Sequence, residues 1–311
     1  MISNMNSRNL IAFCLLLIFA SCKQDSATTP KNEISSFQMA MDKLNMEPGK
    51  ASAHNFIVEV RKELASSDDK NKDMDLLMKG LNVAEEYKMG SNAIGFLMPL
   101  VKDFPGNPQH EDHFAKLASA LLDIGKDIPG GILAKAYENK FPTGKYLEKL
   151  TAKQTEDIGD LDLYIKKMAE NVFVDPDKFG INKSAAQKYV DACEAFAIGF
   201  PNNEMSPEYL YRAAEMARTL KTYPKALSIF DWIEEKYPNF DKTATTVFLK
   251  GFMLENELNN KEEARKVYNQ FLTNYPNNDL ADDVEFLLEN IDKTDEEIMK
   301  MIDEKAAKNN N

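Results

Sequence analysis

The sequence predicts an all-α protein: a solenoid of about five helical hairpins with a helical insertion and a C-terminal capping helix. Three observations carry this. First, an aromatic residue directly precedes proline at Phe104-Pro105, Phe141-Pro142, Phe200-Pro201, Tyr237-Pro238 and Tyr275-Pro276. The prolines are 37, 59, 37 and 38 residues apart, so three intervals share a period and one is 22 residues longer. A fixed period of roughly 20–50 residues marks a repeat array. Second, other positions recur with the prolines. Five residues before each stands Leu100, Tyr137, Phe196, Ile233 or Phe271, and eight before stands Leu97, Ala134, Cys193, Phe230 or Tyr268, all of core type. Third, these offsets have helical spacing, and few segments read as strand.

The helices follow in order. The charge run Asp68 to Asp75 lies mostly outside any apolar stripe and is a solvated linker and helix start. Ala93, Phe96, Leu97, Leu100, Val101 and Phe104 form one stripe of a helix of about three turns. Pro99 inside it should kink the helix. Phe114, Leu117, Ala118 and Leu121 make the next helix, closed by Gly125. Pro129-Gly130-Gly131 fits the turn of that hairpin. Between Pro142 and Pro201, Leu161, Tyr164, Ile165, Met168 and Val172 give one helical pattern, punctuated by Val174-Asp175-Pro176 and Gly180-Ile181-Asn182. Ser206-Pro207-Glu208 is expected to start a helix, with serine as cap and proline in first position, followed by the stripe Leu210, Ala213, Ala214, Ala217 and Leu220. Ala264, Val267, Tyr268, Phe271, Leu272 and Tyr275 repeat the pattern of the first unit. Each proline ends its helix, because it lacks the next amide donor and biases the residue before it away from helical geometry. Thr294-Asp295-Glu296-Glu297 is a capping box for a last helix with Ile298, Met301 and Ile302 on its narrow apolar face.

Twelve residues before each proline stands Ala93, Gly130, Tyr189, Ala226 or Ala264, four of them small, as a close helix crossing requires. Ala226…Phe230…Pro238 and Ala264…Tyr268…Pro276 resemble the tetratricopeptide-repeat (TPR) pattern of a small residue, an aromatic four later and a proline twelve later. Ala93…Leu97…Pro105 is a weaker copy, and Gly251 falls near the first-helix glycine of that family. The resemblance spans roughly residues 70–290 and is weakest around 182–201. The period exceeds the usual ~34 residues, which implies longer turns between repeats.

The amino terminus is of another kind. Met1 to Asn9 is mostly polar, Leu10 to Ala20 is an apolar run of eleven, and Ala20-Ser21-Cys22 follows. The run is too short to span a bilayer and fits a secretory signal. A cysteine after small residues at its end resembles a bacterial lipoprotein signal, with Phe19 where leucine is usual. That resemblance implies lipidation at Cys22 and stable membrane anchoring by its acyl chains. The alternative is a signal peptide cleaved elsewhere, with an incidental cysteine. Lys23-Gln24-Asp25 loosely resembles the charged export signals of some Bacteroidetes surface lipoproteins.

Fifty acidic against 38 basic residues, a net charge of −12, argue against a nucleic-acid partner, which needs a basic face. No catalytic arrangement stands out. His110 and His113 are spaced i+3, not the i+4 of zinc peptidases, and the remaining histidine is the distant His54. Pro142-Thr143-Gly144-Lys145 lacks the upstream glycine of a phosphate-binding loop. Cys193 falls in a core column, so a buried apolar role is expected rather than a nucleophile. No metal, cofactor or catalytic residue is assigned, and an enzyme is not expected.

The organisation expected is a signal peptide over 1–21, a flexible tether over 22–34, an N-terminal sub-array over 35–142, a connector insertion over 143–181, a C-terminal TPR array over 182–290, and a capping helix and tail over 291–311. The insertion serves either as connector or as docking element. The resemblance implies a groove lined by the first helix of each hairpin. Off-stripe residues there are Tyr211, Glu215 and Arg218 in one unit and Phe248, Phe252 and Asn256 in the next; packing against the neighbouring unit is their alternative role. The function implied is a lipid-anchored scaffold of the bacterial envelope, expected at the outer membrane on either its periplasmic or its surface face. It would bind another envelope protein or a peptide, BamD-like in plan and so pointing to outer-membrane protein assembly. The alternative is a nutrient- or glycan-binding surface lipoprotein, which the single tryptophan, Trp232 on a repeat helix, disfavours.

Overall fold

The computed structural model describes residues 35–154, 158–173, 180–294, 296–297 and 299–301. Cys22, the apolar run before it and the tether lie outside the described residues. Those described contain fourteen helices of seven or more residues and no strand. A first hairpin, α1 (Ser36–Met46) and α2 (Lys50–Ala65), precedes the repeats. The units that end in aromatic–proline pairs are α3 (Lys70–Glu86) with α4 (Gly90–Asp103), and α5 (His110–Asp123) with α6 (Asp127–Lys140). After α7 (Leu147–Lys153) come α8 (Leu161–Val172) with α9 (Lys183–Gly199), α10 (Met205–Thr219) with α11 (Tyr223–Lys236), and α12 (Thr243–Asn256) with α13 (Lys261–Asn274). Helix α14 (Ala281–Asn290) follows.

Every residue in the five-before, eight-before and twelve-before columns is buried, Tyr189 included. Small residues are where helices touch. A Cβ on Gly251 of α12 would stand 2.6 Å from the Tyr268 ring of α13, and one on Gly130 would stand 2.7 Å from Leu122. Pro129, Gly130 and Gly131 therefore lie inside the first turns of α6 rather than in the hairpin turn expected from sequence. A proline is tolerated in a first turn, where its missing amide has no intrahelical partner. The turn itself falls at Gly125, at φ +74°. Pro99 sits inside α4, which continues through it to Asp103.

The aromatic–proline pairs build one turn five times. Phe104, Phe141, Phe200, Tyr237 and Tyr275 each end a helix at φ between −124° and −131° and ψ between 50° and 67°. Each aromatic carbonyl accepts the amide three residues on, from Asn107, Gly144, Asn203, Phe240 or Asn278. The carbonyls of those residues then accept the amides of His110, Leu147, Ser206, Thr243 and Ala281. Two hydroxyls brace the turn: Ser206 Oγ donates to the Phe200 carbonyl at 2.6 Å and Thr243 Oγ1 to the Tyr237 carbonyl at 2.9 Å. Ser206 is thus not the cap expected from sequence, but a buried residue of the first turn that bonds backwards. Asn203 Oδ1 instead accepts the Met205 amide at 2.9 Å.

At most joints the second helix of one hairpin packs on the first helix of the next: α2 on α3, α4 on α5, α9 on α10, α11 on α12 and α13 on α14. The long interval breaks this pattern. Helix α7 packs on α5 and α6, α8 pairs with α9, and α6 packs directly on α9. Within 143–181, α8 therefore forms the first helix of the middle hairpin, begun by Asp160, whose carboxylate accepts the Leu163 amide at 2.9 Å. Only α7 has no counterpart in the other units. The array also coils tightly enough for α4 to reach α11. Lys236 Nζ lies 3.5 Å from Asp103, and Lys102 Nζ stands 4.8 Å from the centre of the Trp232 ring.

Thr294 and Glu297 form the expected capping box: the Thr294 amide donates to Glu297 Oε2 at 2.8 Å, and the Glu297 amide to Thr294 Oγ1 at 3.3 Å.

Tyr268 is fully buried and its hydroxyl is tied to Glu255 at 2.7 Å, so the ring cannot yield to a side chain at position 251. Gly251→Val is expected to lower stability by about 1–3 kcal/mol, as overpacking does, measured by denaturant unfolding.

Candidate protein-binding face

The first helices of the last units carry the candidate residues, each fixed by its register against the buried stripe. On α10, Leu210, Ala213, Ala214 and Ala217 point inward and are buried. Tyr211, one position on, is half-buried at the edge of the core, with its ring centre 6.5 Å from that of Phe240 and 4.9 Å from Lys242 Nζ. Lys242 is held there by Glu208 at 2.7 Å. Burial raises the pKa of the Tyr211 hydroxyl, and neighbouring Glu215 raises it further. Glu215 is exposed. Arg218 stands 3.9 Å from Glu257, which also accepts the Tyr223 hydroxyl at 2.8 Å.

On α12, Phe248 and Phe252 pack ring to ring at 6.0 Å, both half-buried. Phe248 also leans on the core of the last unit, as the packing alternative expects. The exposed Asn256 spends one amide proton on the Phe252 carbonyl at 3.0 Å. Tyr211 and Phe248 both stand ten residues after the proline that ends the preceding unit, so they occupy one column of neighbouring first helices. The same count from Pro276 gives Phe286 on α14, which is 44% exposed. Phe286 is not among the residues singled out from sequence, although counting forward from the prolines finds it.

The second helices form the other layer. Glu194 of α9 is buried there beside a cavity of about 150 Å³. Burial raises its pKa, opposed by Lys225, whose ammonium lies 3.0 and 3.2 Å from its two oxygens. Lys126 is likewise paired with Asp191 at 2.7 Å. Trp232 is only 6% exposed, beneath Lys102. Its ring belongs to the core and offers no open aromatic platform.

The remaining candidates for chemistry take structural places. Cys193 is fully buried, and burial pushes its thiol pKa up to about 12. Gly144 lies in the turn after α6. His110 and His113 open α5, both buried, with each Nδ1 unpartnered among the described residues. His110 occupies the turn position held by Ser206 and Thr243 in later units. Lys140 Nζ lies 3.0 Å from His110 Nε2. The ammonium can only donate, so Nε2 accepts and the neutral ring carries its proton on Nδ1. Among the described residues, no group of three or more His, Cys, Asp or Glu side chains is placed to hold a metal ion.

Burial, then the Lys140 charge, lowers the His110 pKa from 6.5 to about 4. Between those values the unfolded chain binds a proton that the folded chain does not. Stability from this group is therefore complete above pH 6.5 and falls as pH drops toward 4. His110→Ser, which copies the residue of the later turn, should reduce the acid-induced loss, measured by urea unfolding across that range.

A family model described as a tetratricopeptide repeat matches residues 247–278, which is most of α12, all of α13 and the turn that follows. No curated protein matches the chain. The match supports a tetratricopeptide-repeat protein, an architecture generally used to bind other proteins.

Proposed function

We propose that the chain is a lipid-anchored scaffold or adaptor of the bacterial envelope, binding another envelope protein or an extended peptide through the first-helix face of its last hairpins. The observation that carries the reading is the column of partly exposed aromatics on stacked first helices, Tyr211, Phe248 and Phe286, of which Phe248 lies within the stretch that matches the tetratricopeptide repeat. Large apolar side chains gathered on a surface mark interaction sites more often than isolated ones do. The anchor rests on the apolar run ending in Ala20-Ser21-Cys22. An outer-membrane location, with a role in outer-membrane protein assembly, fits an anchored array of this plan. The glycan-binding alternative needs exposed aromatic platforms, and Trp232 is buried.

Two experiments test this. Metabolic labelling with palmitate should mark the full chain and not Cys22→Ala, whereas equal labelling of the two would remove the anchor. Affinity capture from detergent-solubilised membranes should recover one stoichiometric envelope protein, lost in Tyr211→Ala combined with Phe252→Ala. Truncating such anchors typically costs more than ~1 kcal/mol of binding each. Specific sugar binding with no protein partner would sink the scaffold reading.

A further inference from the structure

We propose that the first-helix face takes an extended basic segment of its partner, with the Lys- or Arg-rich end of that segment at α14. This rests on the scaffold reading above and names the chemistry of the partner.

The aromatic column sets the shape of the occupant. Tyr211, Phe248 and Phe286 hold the same position on α10, α12 and α14. An extended chain laid across these helices turns alternate side chains to one face, so residues an even number apart can meet successive aromatics.

Charge sets its polarity. Asp282, Asp283 and Glu289 stand four before, three before and three after Phe286, so they share its helix face. All three are exposed, and none forms an ion pair among the described residues. Two bases of this last unit are engaged with other groups: Arg265 holds Asp292 at 2.7 Å, and Lys293 donates to Asn290 Oδ1 at 2.6 Å. The helix dipole accounts for aspartates in the first turn of α14. It does not account for Glu289, whose charge in the last turn faces the negative end of the dipole. At the α10 end, by contrast, Lys242 covers Tyr211 and neutralises Glu208. Glu215, four residues after Tyr211, stays exposed there, so among the described residues the face runs from one exposed carboxylate without an ion pair at α10 to three around an exposed phenyl ring at α14. Cationic side chains with apolar stems complement such a site, since they answer the carboxylates and also pack on the ring.

The test uses the full chain and a fluorescein-labelled peptide of about twelve residues, with leucine at alternate positions and a basic end, read by anisotropy. A companion peptide carries glutamate in place of each basic residue. The basic peptide should bind, more weakly as salt rises, and the acidic one should not. Phe286→Ala, and separately Asp282→Lys with Glu289→Lys, should each weaken binding about tenfold without shifting the thermal melt, because these side chains are exposed. Equal binding of both peptides, binding of neither, or unchanged binding by the variants overturns the proposal. If a membrane protein is captured in the Tyr211-dependent manner but is indifferent to charge reversal on α14, this inference fails and the scaffold reading stands. If no protein is captured, the scaffold reading itself fails.

Discussion

The close crossing of two helices at a small residue is the contact on which the rest of the array depends. Gly251 against Tyr268 and Gly130 against Leu122 leave no room for a Cβ. Once each pair is drawn this close, the columns eight and five residues before the proline fall between helices and are buried. The proline turn then fixes where the next helix begins. Its geometry repeats at five places, so each hairpin hands the chain to the next in similar register. The first-helix face follows from that regularity, because equivalent positions on stacked units line up.

The one irregular joint shows what happens when the relay is interrupted. Helix α7 lies on α5 and α6, where a following first helix would otherwise dock, and Ile158 beyond it covers Gly131 at a distance that excludes a Cβ. Helix α8 still pairs with α9, and α6 meets α9 directly. The buried core accordingly runs on from the early hairpins into the later ones across this joint. The second helices close the coil further through Asp103, Lys236, Lys102 and Trp232.

Much of this was legible in the sequence because it is carried by periodic residues. The helical hairpins, their buried columns, the burial of Cys193 and the Thr294 capping box all follow from spacing. The hairpin α1–α2 was not legible in the same way, since no aromatic–proline pair marks its end. Ser206 resembles a cap because a serine before proline has that composition, whereas its backward bond to Phe200 depends on a turn that only three dimensions show. Gly130 and Gly131 look like turn residues for a similar reason; their use is close approach inside a helix. Of the candidate face, Tyr211, Phe248 and Phe252 were found as apolar residues off the stripe. Their partners, Lys242 over Tyr211 above all, come from a neighbouring element and leave no local signal.

The central claim is that the first-helix layer is where this chain meets a partner. The most direct measurement is site-specific photo-crosslinking in living cells, with a photoreactive phenylalanine analogue at position 248, at 286, and at the exposed Lys135 of the second-helix layer. The account predicts that one and the same protein is captured from 248 and 286 and not from 135. Capture from 135 alone, or of unrelated proteins from 248 and 286, would contradict it.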